Sequence, residues 1–474
     1  MDTSLIIERQ EKRAEEQPVM MPVAPFVPQE TLRSKKMLKE SAPIRGYRGL
    51  FWDRVSLLKW MGAELGTFGS GMFGPKELFL VNSAEYVREV LVEQADKFQK
   101  GKEFAIHTRP LLGNGLLLSE GGVHRRQRKL VAPAFVHKRV ADYSEVMVSY
   151  TERAANSWKD GSTIDVSSEM MKITLAITGK TLFDAEVSSD AEGIKANLTY
   201  LMHYAEAQLR NPWAIPFSWK TPRNARVRRA IAHLDAIIYR MIAERRASHS
   251  DRGDLLSMLL LARDEDDGSG MSDAQVRDEA MTIFLAGHET TANASAWMWY
   301  LLAKNPESYR KLQAEADEVL QGRAPVFDDL QHLPFAMKVF KETMRLYPPA
   351  YILVRQAKED VWIDGYKIPK GGSLIISPYL LHRDERFFPE PEKFDPERFT
   401  PEFERELPRQ AYMPFGAGPR VCIGNQFALM EGQLIAATLA QRVTFELASK
   451  NEVGLEPLMT LRPKGAMLMR VHKR

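Results

Sequence analysis

The 474-residue sequence holds a single cysteine, Cys422, so no internal disulfide can form. A lone thiol fits a reducing compartment and is either an inert packing residue or a chemical one. Structural zinc of the cysteine-rich, four-ligand kind is excluded with it. Charge of one sign is lacking too: 65 Lys+Arg against 62 Asp+Glu leave only +3, and nucleic acid is not an expected partner. No apolar run reaches the roughly 20 residues that a membrane-spanning helix needs. The N-terminal stretch MDTSLIIERQEKRAEEQPVMMPVAPFVPQE is broken by Pro22, Pro25 and Pro28, and it lacks the uninterrupted apolar core of a secretory signal. Residues 1–40 read as a flexible leader and the chain as a cytoplasmic protein. Neither a Gly/Ser linker nor a repeat divides the remainder, so residues 41–474 read as one large domain, although about 100–200 residues per domain is usual.

What is present is ordinary globular material, 44% hydrophobic and 27% charged, enough to bury a sizeable core. From about residue 120 to 350 apolar residues recur every three or four positions, as in ARVRRAIAHLDAIIYRMIAERRAS, which predicts helices. ELFLVNS (77–83) and VWIDGYKIPKGGSLIIS (361–377), with turn signals at Asp364-Gly365 and Gly371-Gly372, predict strands. The fold class is mainly α with a smaller β region.

One helix stands out. Ser272 with Gln275 three residues on forms a capping box, and the pattern then runs to about Asn305. At 1.5 Å per residue that is roughly 45–50 Å, and a helix so apolar on most sides belongs in the core. Its middle, AGHETTA (286–292), is polar where packing should be best. Gly287 costs a helix about 1 kcal/mol there. Thr290 can return its hydroxyl to the Ala286 carbonyl, which tends to bend or open a helix. A satisfied core kink and a polar notch beside a cofactor both fit this pattern. A zinc-protease HExxH motif does not, because its fifth residue is Ala292.

Cys422 sits in PFGAGPRVCIGN (414–425) and admits three readings. It is a buried packing residue, a nucleophile or a metal ligand. The helical pattern NQFALMEGQLIAATLAQR follows it, and a helix N-terminus favours a thiolate. A phosphatase-like cradle, however, needs an arginine six residues on, where Ala428 stands, and no papain-like histidine signature accompanies this stretch. As a ligand, a lone thiolate makes sense when the other donors come from the cofactor itself, as in haem. Gly416, Gly418 and Gly424 would let backbone approach such a flat macrocycle.

FGAGPRVCIG matches without exception the Phe-x-x-Gly-x-Arg-x-Cys-x-Gly signature of the cytochrome P-450 family. Further landmarks of that family occur in the right order: AGHETT resembles its oxygen-activating central helix, KETMR (341–345) its Glu-x-x-Arg pair, and PERF (396–399) its arginine motif. The resemblance covers roughly residues 40–474.

The resemblance implies the P-450 fold, with the long central helix over a haem b whose iron is ligated by Cys422. Phe415 would shield that ligand, Gly424 would lie beside it, and Ala286 and Gly287 would leave space for dioxygen. Thr290 and Glu289 would relay protons. His124, Arg128, Arg355 and Arg420 would meet the haem propionates; His124 stands where many relatives have tryptophan, and still permits a hydrogen bond. Glu342 and Arg345 would form a structural triad with Arg398. The implied reaction inserts one oxygen atom from O2 into a lipophilic substrate of the fatty-acid, terpenoid or steroid class. Its pocket would draw on residues 103–118, Leu201 to Tyr204, Phe284, Ala350 to Leu353, and Met459 with Thr460. The intact acid–alcohol pair argues against a peroxide-driven relative. Electrons would come from a separate ferredoxin- or flavodoxin-type protein with its reductase, docked at Arg125, Arg126 and Lys129. A haem-thiolate protein that binds, senses or isomerises a ligand without activating oxygen is the alternative.

Overall fold

A computed structural model describes residues 54–73, 76–184, 191–211, 215–248, 252–264, 268–449 and 451–474; the leader expected at 1–40 lies outside the described residues. All described residues fall in one compact unit, Met37–Arg474. In chain order, the helices that position the site are α1 (Arg54–Leu65), α2 (Lys102–Leu112), α3 (Gly121–Val131), α4 (Ser144–Ser157), α5 (Val166–Phe183), α6 (Ala191–Arg210), α7 (Pro222–Ser248), α8 (Asp273–Lys304), α9 (Pro334–Leu346) and α10 (Asn425–Arg442).

The capped apolar pattern becomes α8. Ser272 is its N-cap, with the side-chain oxygen accepting the Gln275 N–H at 3.2 Å. Its 32 residues span about 48 Å, and apolar residues such as Met281, Leu285, Trp297 and Trp299 are buried all round it. Helix α5 lies against its middle, where the Thr174 hydroxyl donates to the His288 carbonyl at 2.8 Å. Helix α10 joins the same core through Leu434 to Ala437. A Cβ at Gly432 would lie 2.3 Å from the Phe340 ring, so the glycine lets α9 and α10 close on one another. Helix α4 packs its buried face, Met147 and Val148, into that cluster.

The strands are β1 (Phe68–Phe73), β2 (Lys76–Val81), β3 (Phe98–Lys100), β4 (Thr163–Asp165), β5 (Leu353–Ala357), β6 (Val361–Ile363), β7 (Tyr366–Ile368), β8 (Ser373–Ile376), β9 (Val443–Leu447), β10 (Leu455–Pro457), β11 (Leu461–Pro463) and β12 (Leu468–Lys473). The largest sheet has the order β1-β2-β8-β5-β3, with β2 and β8 parallel and the other pairs antiparallel. Helix α1 covers part of it through Leu58 and Met61. The two runs expected at 77–83 and 361–377 are both strand-forming, and Asp364 and Gly365, at φ 46° and 77°, make the two-residue turn between β6 and β7. Strands β4, β12 and β9 form a second sheet, and β10 with β11 a hairpin. No helix among the described residues is long and apolar enough to cross a membrane.

Candidate active site

The loop before α10 is shaped around Cys422. Gly416 and Gly418 take φ of 72° and 70°, the left-handed region that side chains disfavour. At Gly418 a Cβ would stand 1.8 Å from the Leu91 carbonyl oxygen, so only glycine fits. The Cys422 N–H closes the loop on the Phe415 carbonyl at 2.9 Å, and Arg128 of α3 donates to the Val421 carbonyl at 2.9 Å. Cys422 is accessible, yet burial pushes its thiol up, against the pull of the Gly424 N–H and of Arg128. Both properties belong to a side chain facing a confined space within the protein.

The middle of α8 has the same character. From Ile283 to Glu289, Ala286 alone is exposed, while its neighbours in the sequence are buried or half-buried. Thr290 donates its hydroxyl to the Ala286 carbonyl at 2.7 Å, as the spacing predicts. At Gly287 a Cβ would make ordinary contact, 3.4 Å, with the Thr178 side chain of α5. The exposed residue of this segment is Ala286. Glu289 is buried and does not bond to Thr290. Its Oε1 accepts from the Thr460 hydroxyl at 2.5 Å and from Arg462 Nε and Nη2 at 2.9 and 2.8 Å.

Cations gather on another side. Lys100 of β3 stands opposite Arg355 of β5, and Arg420 comes from the cysteine loop. One carboxylate, Glu120, answers them: it pairs with Arg420 and accepts the Lys100 backbone N–H at 2.9 Å. Burial, then Arg355 and Arg420, hold the Lys100 amine well below its ordinary range. Burial and Arg420 lower Arg355 to about 10. Arg420 Nη1 is buried without a hydrogen-bond partner. These residues border about 280 Å³ of free space. His124 is buried beside them, and desolvation with Arg420, Arg128 and Lys100 pushes it down to about 4. With these neighbours it is a neutral hydrogen-bonding group. The donor set fits a haem: a cofactor bearing two carboxylates balances a half-buried cluster short of negative charge, and an accessible thiol stands ready for its metal.

The expected triad forms. Arg345 and Glu342 are fully buried and pair through two hydrogen bonds of 2.7 and 2.8 Å, and Arg398 adds a third at 3.1 Å. Arg345 also donates to the carbonyls of His382, Pro391 and Lys393. His382 Nε2 in turn accepts the Met413 N–H at 2.9 Å, two residues before Phe415. The triad is therefore a brace behind the cysteine loop.

Two hollows lie among the helices, the second bordered by Met281 and Phe284 of α8. One, about 340 Å³, is lined by His107, Thr108 and Leu111 of α2, Leu201 and Tyr204 of α6, and Met459. Three of the five segments expected around a pocket meet here. Phe284 instead lines a wholly apolar space of about 360 Å³ with Phe183, Leu234 and Met241, and Ala350 to Leu353 border neither. On α3, Arg125 and Lys129 are exposed, whereas Arg126 is committed to Asp264 at 2.7 Å and to Ser269. Sequence reasoning missed Lys100, Glu120 and Arg462. Nothing in their local sequence sets them apart from surface charges, because strand pairing and loop packing create their roles.

The family model described as cytochrome P-450 matches residues 47–470. Cyclooctatin synthase of Streptomyces melanosporofaciens is 40% identical over 390 residues, covering 82% of this chain and 85% of that protein. Cyclooctat-9-en-7-ol 5-monooxygenase of the same organism is 37% identical over 404 residues, covering 85% and 87%. Pentalenene oxygenase of Streptomyces avermitilis is 34% identical over 376 residues, covering 79% and 83%.

Proposed function

Because the chain belongs to the cytochrome P-450 family and is a monooxygenase, we propose that it inserts one oxygen atom from O2 into a cyclic terpenoid, using haem b ligated by Cys422. The observation that carries this reading is an accessible cysteine in a preshaped loop beside a half-buried group of three cations that a single carboxylate answers. Bound there, the haem-thiolate cofactor would supply the activation of dioxygen, which a thiolate ligand favours by donating electron density. We take residues 41–474 as its single domain.

Within the chain, Arg355 and Arg420 would hold the propionates by charge, Lys100 would regain its charge beside them, and His124 would add a hydrogen bond. Arg128 fixes the ligand loop through the Val421 carbonyl. Thr290 holds a proton on Oγ1, parked on the Ala286 carbonyl beside the accessible part of α8. Rotation about its Cα–Cβ bond turns that proton toward the reacting side. Glu289, an acceptor toward Thr460 and Arg462, would have to leave both and take up a proton from water before passing one on to Thr290. Electrons arrive from a separate ferredoxin- or flavodoxin-type partner, for which Arg125 and Lys129 offer exposed positive charge on α3.

The hollow beside α2 and α6 supports an apolar substrate. Its hydroxyls are already engaged: Thr108 donates to the Phe104 carbonyl at 2.6 Å and Tyr204 to Asn224 Oδ1 at 2.8 Å. Relatives named for an alkene, pentalenene, and an alkenol, cyclooctat-9-en-7-ol, favour a terpenoid over a fatty acid or steroid. The reduced protein exposed to carbon monoxide should show the red-shifted Soret band of thiolate-ligated haem, and Cys422→Ser should lose it. A wild type without that band would sink the reading. Among terpenoids, fatty acids and steroids, only terpenoids should shift the resting Soret band and yield an oxygenated product with a surrogate redox pair; steroid or fatty-acid products alone would refute the substrate class.

A further inference from the structure

We infer that Asp278 and Glu279 are positioning residues for this monooxygenase: adjacent carboxylates on α8 that clasp the backbone of loop 113–116 and so fix where α2, one wall of the 340 Å³ hollow, stands. The inference rests on the reading of that hollow as the substrate pocket.

Asp278 Oδ2 accepts the Asn114 N–H at 2.7 Å, and Glu279 Oε2 accepts the Leu116 N–H at 2.8 Å. The intervening residues give the clasp its closeness. A Cβ at Gly113 would lie 1.9 Å from Asp278 Oδ1, and one at Gly115 would lie 2.3 Å from Thr282 Oγ1 and 2.5 Å from the Asp278 carbonyl. Only a glycine-flanked loop comes this near the helix. From the other side, Gln127 of α3 donates to the Asn114 carbonyl at 2.8 Å.

The clasp is also braced. Asp278 Oδ1 accepts from Arg277 at 3.0 Å, and Arg277 pairs with Asp235 of α7, whose Val227 and Ile231 line the same hollow. Glu279 is fully buried, and its Oε1 has no hydrogen-bond partner. Desolvation raises its carboxyl to about 7, against the Leu116 N–H, with Asp278 pushing in the same upward direction. A buried acid is an unfavourable choice for packing alone, and its hydrogen bond here goes to the loop. Leu111 and Leu112, the last residues of α2 before the clasped segment, line the hollow, so a shift of the loop shifts the wall.

The test compares haem-loaded wild type with Glu279→Gln, Glu279→Ala and Asp278→Ala. Amide exchange of a peptide covering residues 110–118 reads the clasp, and stopped-flow release of 4-phenylimidazole, followed at the Soret band, reads pocket opening. Glu279→Gln keeps a carbonyl acceptor and should behave as wild type. Either alanine variant should speed exchange about tenfold, as expected for losing a charge-assisted hydrogen bond, and should release the probe several-fold faster with the reduced carbon-monoxide band unchanged. Unchanged exchange overturns the clasp, and faster exchange with unchanged release overturns its positioning role. If 4-phenylimidazole leaves the wild-type Soret band unmoved, the haem reading fails instead, and peptide exchange still decides the clasp. Should Glu279→Ala not load haem, Asp278→Ala alone decides both readouts.

Discussion

Lys100 and Arg355 stand directly opposite one another across the β3–β5 pair, two half-buried cations in register at the edge of a sheet. Like charges so placed repel, and the single carboxylate of Glu120 does not balance them together with Arg420. Lys100→Met should therefore stabilise the haem-free protein and weaken haem retention. Lys100 binds its proton less tightly when folded, so its contribution to stability rises with pH as the unfolded chain binds more protons; the stability of haem-free wild type relative to the variant should rise with pH. Thermal melts of haem-free protein and haem transfer to an apo-globin acceptor measure the two effects. A variant that holds haem as tightly as wild type would remove Lys100 from the site.

Glu289 and Arg462 form a buried pair that a single substitution leaves half intact. Arg462→Leu strands a carboxylate and should cost about 3 kcal/mol or more, while Arg462→Leu with Glu289→Gln should recover most of that loss. Chemical denaturation reads this. For proton delivery, Thr290→Ala should bind substrate as wild type does, lower product per electron about tenfold or more, and divert electrons to peroxide. Unchanged coupling in Thr290→Ala would remove the hydroxyl from the relay.

Two glycines of the cysteine loop share a positive φ but differ in surroundings. At Gly418 a Cβ would meet the Leu91 carbonyl oxygen at 1.8 Å, whereas at Gly416 the nearest atom, Leu353 Cδ1, is 3.9 Å away. Gly416→Ala should cost only the left-handed backbone term, about 1–2 kcal/mol. Gly418→Ala adds a clash with backbone and should abolish haem loading. Equal behaviour of the two variants in haem content and denaturation midpoint would contradict this difference.

Glu431 on α10 is fully buried, and neither carboxylate oxygen has a geometric hydrogen-bond partner. Burial raises its carboxyl to about 8, with Thr291 of α8 pulling the other way. The folded state then binds the proton more tightly than the unfolded chain. That contribution is intact below the unfolded value and is lost as pH rises through about 8. By linkage the loss is on the order of 5 kcal/mol at most. Melting temperature should fall between pH 6 and pH 9, and Glu431→Gln should flatten that fall. A Gln variant with the wild-type slope would assign the loss to other groups.

How much of the site is legible in the chain depends on sequence distance. The cysteine loop lies within twelve consecutive residues, and its turns and the helix that follows are fixed by local glycines and apolar spacing, so they read directly from PFGAGPRVCIGN and NQFALMEGQLIAATLAQR. The cap of α8, the Thr290 back-bond to Ala286 and the Glu342–Arg345 pair are likewise short-range, set by helical periodicity. Residues separated by hundreds of positions were not legible. Lys100 joins Arg355 and Arg420 only through strand register; Glu289 meets Arg462 only because a C-terminal hairpin reaches α8; His124 is neutral because it is buried, with three cations beside it. Periodicity and turn chemistry, which act over a few residues, determined the elements, and resemblance to a family signature singled out Cys422. Burial and the pairing of distant charges, which depend on what packs beside a group, were decided by the tertiary structure.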